Sequence, residues 1–285
     1  MAPGDDITAA TDPEYSDESY HSYSGTSMAS PHAAGAMALA RQYVNAAFPN
    51  LTDTERADMV GTLLMCTAVP SRTNGVTWSP RLQGAGQADL LAACTTKAYI
   101  EVRGSARPKL ELGDDDAKSG IFRMSFDIVN FGSAPLTYSL SANVQTEGVT
   151  PASLNGVDTC VMTGSPWDVT GNIGVALPSA VTVPAIGRKT VTVTVNVNPF
   201  KVELNERFPL GAYIEGFVRL DGTVDLSIPF LGFCGDREYP AVLDRGCYYD
   251  EYLGASQYPA ADANGDGRAD SIDALRILRM AMDLL

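Results

Sequence analysis

The residues best suited to act as a catalytic nucleophile lie in the stretch YSGTSMASPHAAG, residues 23–35. Ser27 stands among small residues that would let a substrate backbone approach, and an alanine-rich run typical of a helix follows it. A serine hydroxyl needs a base within hydrogen-bond reach and donors that stabilise the oxyanion of a tetrahedral intermediate. Free N–H groups and the dipole at a helix N-terminus supply part of this. The spacing alone leaves open a second interpretation, in which serine and threonine only cap the helix.

A second group of residues with chemical potential lies in the C-terminal stretch DANGDGRADSID, residues 262–273. Oxygen-bearing side chains recur at alternate positions, Gly267 permits the sharp turn at the sixth position, and Arg268 would contribute its backbone carbonyl. Such hard oxygen ligands can surround one cation. The predicted ligands of a calcium ion are Asp262, Asn264, Asp266, Arg268, Asp270 and Asp273. The alternative is an acidic turn that binds no ion.

Three helices are predicted in the first third of the chain. The run from Ser27 to Phe48 predicts a buried helix, because its many small residues allow close packing. Pro31 is tolerated there only because the N–H groups of a first turn lack helical partners. Thr52 and Glu55 predict a capping box at the start of a second helix, TDTERADMVGTLLMCTA. The segment GAGQADLLAAC predicts a third, shorter helix, and short extended pieces lie between the helices.

From about residue 99 the hydrophobic pattern changes to a period of two, which is typical of strands. Alternating apolar residues occur in three sets: Phe122, Met124, Phe126 and Ile128; Leu136, Tyr138 and Leu140; and Val191, Val193, Val195 and Val197. The dipeptide Asp221-Gly222 between two alternating runs predicts a hairpin. Several short strands of this kind predict an all-β sandwich. From about residue 246 the sequence becomes irregular and then ends in a loop and a helix.

Composition restricts the classes of function. The 285 residues suffice for two compact domains, and the formal net charge of −14 disfavours nucleic acid and anionic membranes as partners. Either solubility or a calcium-rich extracellular habitat explains that charge. No apolar run is long enough to span a membrane, and MAPGDD lacks the regions of a signal peptide. The five cysteines form no CxxC pair; Cys234 and Cys247 are close enough to pair, but buried free thiols are favoured.

The serine stretch resembles the signature of the subtilisin-like serine proteases, the subtilases, whose pattern is Gly-Thr-Ser-Met-Ala-x-Pro-His. The matching residues are Gly25, Thr26, Ser27, Met28, Ala29, Pro31 and His32. Upstream, APGDDI is similar to the strand and loop that precede the signature, and downstream SPRLQGAG is similar to a segment near the end of the subtilase domain. The resemblance covers about the first 98 residues. It implies that Ser27 is the nucleophile.

The resemblance also implies a limit on activity. Subtilases place their catalytic residues in the order Asp, His, Ser, and only 26 residues precede Ser27 here. His32 belongs to the signature and is expected to be structural, and His21 is not expected to act as the base. We therefore expect the chain to hold the C-terminal part of a subtilase domain and to be inactive by itself.

The remaining segments resemble modules of extracellular proteins. FPLGAYIEGFVRL, LSIPFLGFCGD and PKLELGDD resemble the fibronectin type III-like domain that follows the protease domain in lactocepin-like cell-envelope proteinases, which implies a scaffold role. The tail, with ALRILRM after its acidic loop, resembles a dockerin half-repeat. Because dockerins normally carry two repeats, binding to a cohesin is less well supported than binding of calcium.

These observations predict three parts and one main function. Residues 1–98 would be an α/β C-terminal remnant of a subtilase domain, residues 99–245 an all-β fibronectin type III-like sandwich, and residues 246–285 a linker with a calcium loop and helix. The expected protein is a secreted or cell-surface serine endopeptidase that acts on proteins or peptides, with calcium as cofactor and a cohesin-type scaffold protein as a further candidate partner. Neither nucleic acid nor membrane insertion is expected. The alternative is a non-catalytic extracellular scaffold-binding module that retains protease remnants.

Overall fold

A computed structural model describes residues 1–10, 19–154, 157–163, 165–208 and 211–235. The six predicted calcium ligands, from Asp262 to Asp273, and the rest of the tail lie outside these ranges. The helices are α1 (Thr26–Ala47), α2 (Asp53–Cys66), α3 (Pro80–Gln83), α4 (Leu90–Thr95) and α5 (Lys201–Arg207). No helix within the described ranges is long and apolar enough to cross a membrane.

The three helices predicted from the sequence are confirmed as α1, α2 and α4. Helix α2 begins with the predicted capping box, in which Thr52 N donates to Glu55 Oε2 at 2.8 Å and Glu55 N donates to Thr52 Oγ1 at 3.3 Å. Two N–H groups that would lack helical partners are satisfied in this way. The short helices α3 and α5 were not predicted.

The prediction that α1 is a buried helix is wrong for most of its length. Ala40 and Val44 are its only buried residues, and they pack with residues of α2 and α4. Nearer the N-terminus Gly4 approaches Ala29, whereas a methyl group on Gly35 would meet only open space within the described structure. Small residues make close packing possible, but burial also requires a neighbouring element. Within the described residues, full burial is therefore limited to the C-terminal part of the helix.

Within the described ranges the strands form two large sheets and three small two-stranded sheets. Their bounds are β1 Ile7–Ala10, β2 Tyr20–Tyr23, β3 Arg72–Thr73, β4 Val76–Thr77, β5 Ala98–Glu101, β6 Leu110–Asp114, β7 Ile121–Asn130, β8 Leu136–Thr146, β9 Val149–Leu154, β10 Val157–Met162, β11 Trp167–Asp168, β12 Gly174–Ala176, β13 Ala180–Val183, β14 Gly187–Asn196, β15 Ala212–Asp221 and β16 Leu226–Cys234. One sheet has the order β11-β8-β15-β16-β6, with β13 also paired to β8, and the other has the order β12-β14-β7-β5. The antiparallel pairs β1-β2, β3-β4 and β9-β10 form the small sheets.

The predicted β-sandwich is confirmed, because both large sheets contribute to one hydrophobic core. Phe122, Met124 and Phe126 of β7 lie opposite three valines of β14, and all six side chains are buried. This is the alternation expected of strands that have one face on a core. The predicted hairpin at Asp221-Gly222 joins β15 to β16, which pair from Ala212 and Cys234 to Leu220 and Leu226.

The first hundred residues are joined to the sandwich by packing as well as by the chain. Helix α2 contacts β5 and β16, and the buried thiol of Cys66 belongs to the sandwich core. Ile100 N donates to Cys66 Sγ at 3.2 Å, and Ser227 Oγ donates to the carbonyl of Ala68 at 3.1 Å. The two regions therefore share buried contacts at this border.

Candidate active site

The candidate nucleophile Ser27 lies at the N-terminal end of α1. It is the second residue of the helix and is exposed, with Gly25 as the N-cap residue. Gly25 supplies no side-chain cap, and its carbonyl accepts from Met28 N at 3.1 Å and Ala29 N at 3.3 Å. Ser27 is therefore not the capping residue, and it lies where free N–H groups and the helix dipole favour negative charge.

The backbone of the first residues positions the start of α1. Gly25 N donates to the carbonyl of Gly4 at 2.7 Å. A Cβ atom on Gly4 would lie only 2.8 Å from Ala29 Cβ and 2.8 Å from Gly25 O, so only glycine allows this close approach. Ser24 Oγ accepts from Asp6 N at 2.8 Å and donates to Asp5 Oδ1 at 2.5 Å. These contacts fix the segment that leads into Ser27 against residues 4–6.

The contacts that the structure describes for the two histidines do not include Ser27. His32 Nδ1 lies 2.9 Å from the carbonyl of Met28 within the same helix, which fits the structural role expected of it. His21 lies on β2 opposite Ala9, and its ring packs on Tyr23 with centroids 4.8 Å apart. Within the described structure the hydroxyl of Ser27 has no hydrogen bond to a side chain that could act as its base.

The predicted calcium site cannot be placed, because all six of its residues lie outside the described ranges. Within those ranges, no group of three or more histidine, cysteine, aspartate or glutamate residues is arranged to hold a metal ion. The predicted calcium ligands therefore stay a prediction from the sequence.

A charged cluster between the two regions was not predicted. Arg81 on α3 pairs with Glu215 of β15, with Nε at 2.9 Å from Oε2, and with Glu147, with Nη2 at 3.3 Å from Oε2. Glu215 is fully buried, and the guanidinium carbon lies 4.0 Å from the centre of the Tyr213 ring. Burial would lower the pKa of Arg81, but the carboxylates of Glu215 and Glu147 outweigh this and raise it. One signal could have revealed the cluster, because a glutamate within the apolar run AYIEGFV requires a partner.

Three cysteines lie among the residues whose side chains the structure describes. Cys66, Cys94 and Cys234 are free thiols, and Cys66 and Cys234 are buried, as favoured from the sequence. Burial raises the pKa of Cys66 to about 12, which keeps it protonated and unreactive at neutral pH.

Comparison with known proteins matches each region to a family. Residues 1–86 match the Subtilase family, and residues 110–231 match the Fn3-like domain. The region that contains Ser27 is therefore a subtilase segment, and the sandwich is an Fn3-like domain. The resemblances to the subtilases and to a fibronectin type III-like domain are confirmed, whereas the dockerin-like half-repeat stays a prediction from the sequence.

Similar curated proteins are proteinases. The chain is 29% identical to the C5a peptidase of Streptococcus pyogenes serotype M1 over 275 residues, which cover 94% of this chain and 22% of that protein. It is 30% identical to the PI-type proteinase of Lactococcus lactis subsp. cremoris over 258 residues, which cover 85% of this chain and 13% of that protein. The chain is similar to these proteinases and spans less than a quarter of their length.

Likeness to solved structures adds nothing to this assignment. The match to PapD-like domain 7 of human CEP192 covers 48% of this chain and 84% of the CEP192 domain. The sequence identity is 12%, and the TM-score is 0.29. A TM-score this low carries no argument about fold or function.

Proposed function

We propose that this chain is the nucleophile-bearing part of a secreted or cell-surface serine endopeptidase, which hydrolyses peptide bonds through an acyl-enzyme at Ser27. The main support is the position of Ser27, exposed at the N-terminus of α1 within a segment that matches the Subtilase family. Free N–H groups at this end of the helix favour the developing oxyanion. The names of the relatives, C5a peptidase and PI-type proteinase, favour protein or peptide substrates.

The polypeptide of residues 1–285 is proposed to be inactive by itself. Its two histidines, His21 and His32, make other contacts, and neither is bonded to Ser27. Without a base the serine hydroxyl stays protonated and is a weak nucleophile. In subtilisin, loss of the catalytic histidine lowers kcat by about 10⁶. A loss of comparable size is expected here.

Labelling with a fluorophosphonate probe tests both statements. The probe should label the full-length product of the gene that encodes this sequence, and Ser27→Ala should abolish labelling. Ser30→Ala is the matched control, because Ser30 is exposed on the same helix one turn later. Labelling that persists in Ser27→Ala would exclude Ser27 as the nucleophile. Stoichiometric labelling of the isolated polypeptide of residues 1–285 would contradict the proposed inactivity.

Domain borders are proposed near residues 98 and 245. The tail after the second border is proposed to bind one calcium ion, with these ligands: Asp262, Asn264, Asp266, Arg268, Asp270 and Asp273. The support is the spacing of oxygen ligands in the sequence, because closely spaced carboxylates repel one another without a cation. Calorimetric titration of the 285-residue chain should show binding at about 10⁻⁴ to 10⁻³ M, as in extracellular modules. The control is the double variant Asp262→Ala, Asp273→Ala. If its titration curve is identical to that of the original chain, the calcium site is refuted.

A second candidate function rests on this loop. A non-catalytic extracellular module could use the Fn3-like domain as a spacer and the tail to bind a cohesin-type scaffold protein. The labelling experiment separates the candidates, because a non-catalytic module would carry no probe at Ser27 in the full-length product.

A further inference from the structure

A continuous line of contacts connects the Fn3-like domain to the residue that precedes the nucleophile-bearing helix. It begins at the junction cluster, which we define as Arg81, Tyr213, Glu147 and Glu215. From there it passes through α3, the loop of residues 84–88 and residues 1–4. It ends at Gly25, the N-cap residue of α1. Each step is a direct contact between described residues, except that Met1 and Gly4 are linked along the chain.

The junction cluster anchors α3 to the Fn3-like domain. Arg81 donates to both oxygens of Glu215, at 2.9 and 3.3 Å, while its guanidinium group stacks on Tyr213. Glu215 is 0% exposed. A buried carboxylate that loses its cation is strongly unfavourable. The position of Arg81 is therefore fixed by bidentate hydrogen bonds to Glu215 and by stacking on Tyr213. A lysine could not make both interactions.

The next step leads from α3 to Met1. Gly86 N donates to the carbonyl of Gln83, the last residue of α3, at 3.2 Å. The carbonyl of Gly86 accepts from Met1 N at 2.5 Å, and Ala88 N donates to the carbonyl of Met1 at 2.9 Å. Gln83 is buried and uses both ends of its amide, on Ser71 N and Trp78 O. Hydrogen bonds therefore join the C-terminal end of α3 to Met1 through Gly86.

The last step leads from residues 1–4 to the active-site helix. The carbonyl of Gly4 accepts from Gly25 N at 2.7 Å, and the Gly4 backbone lies against Ala29 in the first turn of α1. Most of α1 is exposed in this part. The contact with Gly4 therefore holds the helix end that carries Ser27.

We propose that Arg81 is a positioning residue through which the Fn3-like domain holds the N-terminal end of the nucleophile-bearing helix. This role goes beyond that of a passive spacer, because loss of the junction cluster would release the segment before Ser27. The assignment of Ser27 rests on the proposed function, but the coupling itself does not require catalysis. Amide hydrogen exchange, which reports local opening, therefore tests it independently of the labelling experiment.

The experiment compares residue-resolved hydrogen exchange in the 285-residue chain and three variants. Arg81→Ala removes all contacts of the guanidinium group with the junction cluster. Arg81→Lys keeps the positive charge but removes the bidentate hydrogen bonds to Glu215. Arg207→Ala is the matched control, because Arg207 also stacks on a ring, Trp167 at 4.1 Å, and pairs with Glu203, but within the Fn3-like domain. Exchange at the amides of Ala88 and Gly25 should become about tenfold faster or more in Arg81→Ala.

Arg81→Lys should show a smaller increase at the same two amides, and Arg207→Ala should show none. The amides of β14 should be unchanged in all variants that fold. Unchanged exchange at Gly25 in both Arg81 variants overturns the proposal, as does an equal increase throughout β14, which would indicate a general loss of stability. An increase at Gly25 in Arg207→Ala overturns it as well. If Arg81→Ala fails to fold, Arg81→Lys decides by the same criteria.

Discussion

Helix α1 and the Fn3-like domain are predicted from the sequence in the same way, yet the structure buries them very differently. In the sandwich, Phe126, Ile128 and Phe217 have almost no exposed surface, because two sheets face one another. In α1, Leu39 is 54% exposed, and burial is limited to Ala40 and Val44. Sequence pattern shows which face of an element can be buried, but a second element must supply the cover.

Substitution of glycine by alanine should give opposite results in the two regions, and this is the largest expected effect. Gly216 of β15 has a φ of 155°, and a Cβ atom there would lie 2.0 Å from the carbonyl oxygen of Asn143. Gly216→Ala should therefore lower the free energy of unfolding by more than about 4 kcal/mol. In Gly35→Ala the added methyl group meets open space on a helix. The free energy of unfolding should therefore rise by up to about 1 kcal/mol.

Denaturation in urea measures both changes. A loss of stability in Gly35→Ala would show that this face of α1 is covered, which would remove the contrast between the two regions. A mild effect of Gly216→Ala would show that β15 can move away from β8 at low cost.

Truncation of large side chains provides the second comparison. Phe126→Ala removes a ring that is 2% exposed and lies opposite Val191, so the free energy of unfolding should fall by about 3–5 kcal/mol. Leu39→Ala removes an exposed side chain and should change it by less than about 0.5 kcal/mol. The midpoints of urea unfolding curves give both values. A loss above 1 kcal/mol in Leu39→Ala, by contrast, would indicate a covered helix.

The local features of the fold could be predicted from the sequence because they depend on neighbours in the chain. The capping box of Thr52 and Glu55, the alternation in β7 and the position of Ser27 at a helix N-terminus are of this kind. The pairing of Arg81 with Glu215 joins residues 134 positions apart, so no local pattern contains both partners. The exposure of α1 could not be predicted either, because it depends on which elements lie beside the helix.

Thiol labelling compares one cysteine at the border of the two regions with one on the surface of α4. Burial raises the pKa of Cys66 to about 12, and it also raises the pKa of the partly exposed Cys94. At pH 8 iodoacetamide should alkylate Cys66 more than about 10³-fold more slowly than Cys94, because Cys66 requires opening of the core. Peptide mass spectrometry measures both rates. Equal rates would mean that α2 separates readily from the sandwich.

The raised pKa of the Cys66 thiol leads us to expect a fall in the free energy of unfolding at alkaline pH. Its pKa is higher in the folded chain than in the unfolded chain, so its contribution is fully present below the unfolded pKa and is lost as the pH rises towards about 12. Cys66→Ala should show a weaker fall in the free energy of unfolding between pH 8 and pH 10. An identical fall in both proteins would indicate that other groups dominate the alkaline transition.

The smallest expected effect compares one carboxylate from each region at acid pH. Hydrogen bonds from the backbone and side chain of Thr52 lower the pKa of Glu55. Burial would raise the pKa of Asp115, but bonds from the backbone of Gly120, at 2.6 Å, and Ser119, at 2.9 Å, outweigh it and lower the pKa. A lowered folded-state pKa means that each carboxylate stabilises the fold above its unfolded pKa, and that this is lost as the pH falls below about 4.

Asp115→Asn and Glu55→Gln should therefore be less stable than the original chain at pH 7 and should approach it at pH 3. The loss in Asp115→Asn should be the larger, though below about 1 kcal/mol, because an amide has only one acceptor oxygen for two N–H donors. In Glu55→Gln the amide oxygen can still accept from Thr52 N, so the loss should be smaller. Urea midpoints at pH 3, 5 and 7 measure both differences. If the differences stay constant with pH, ionisation of the two carboxylates does not contribute to stability. Their hydrogen bonds would then act through geometry alone.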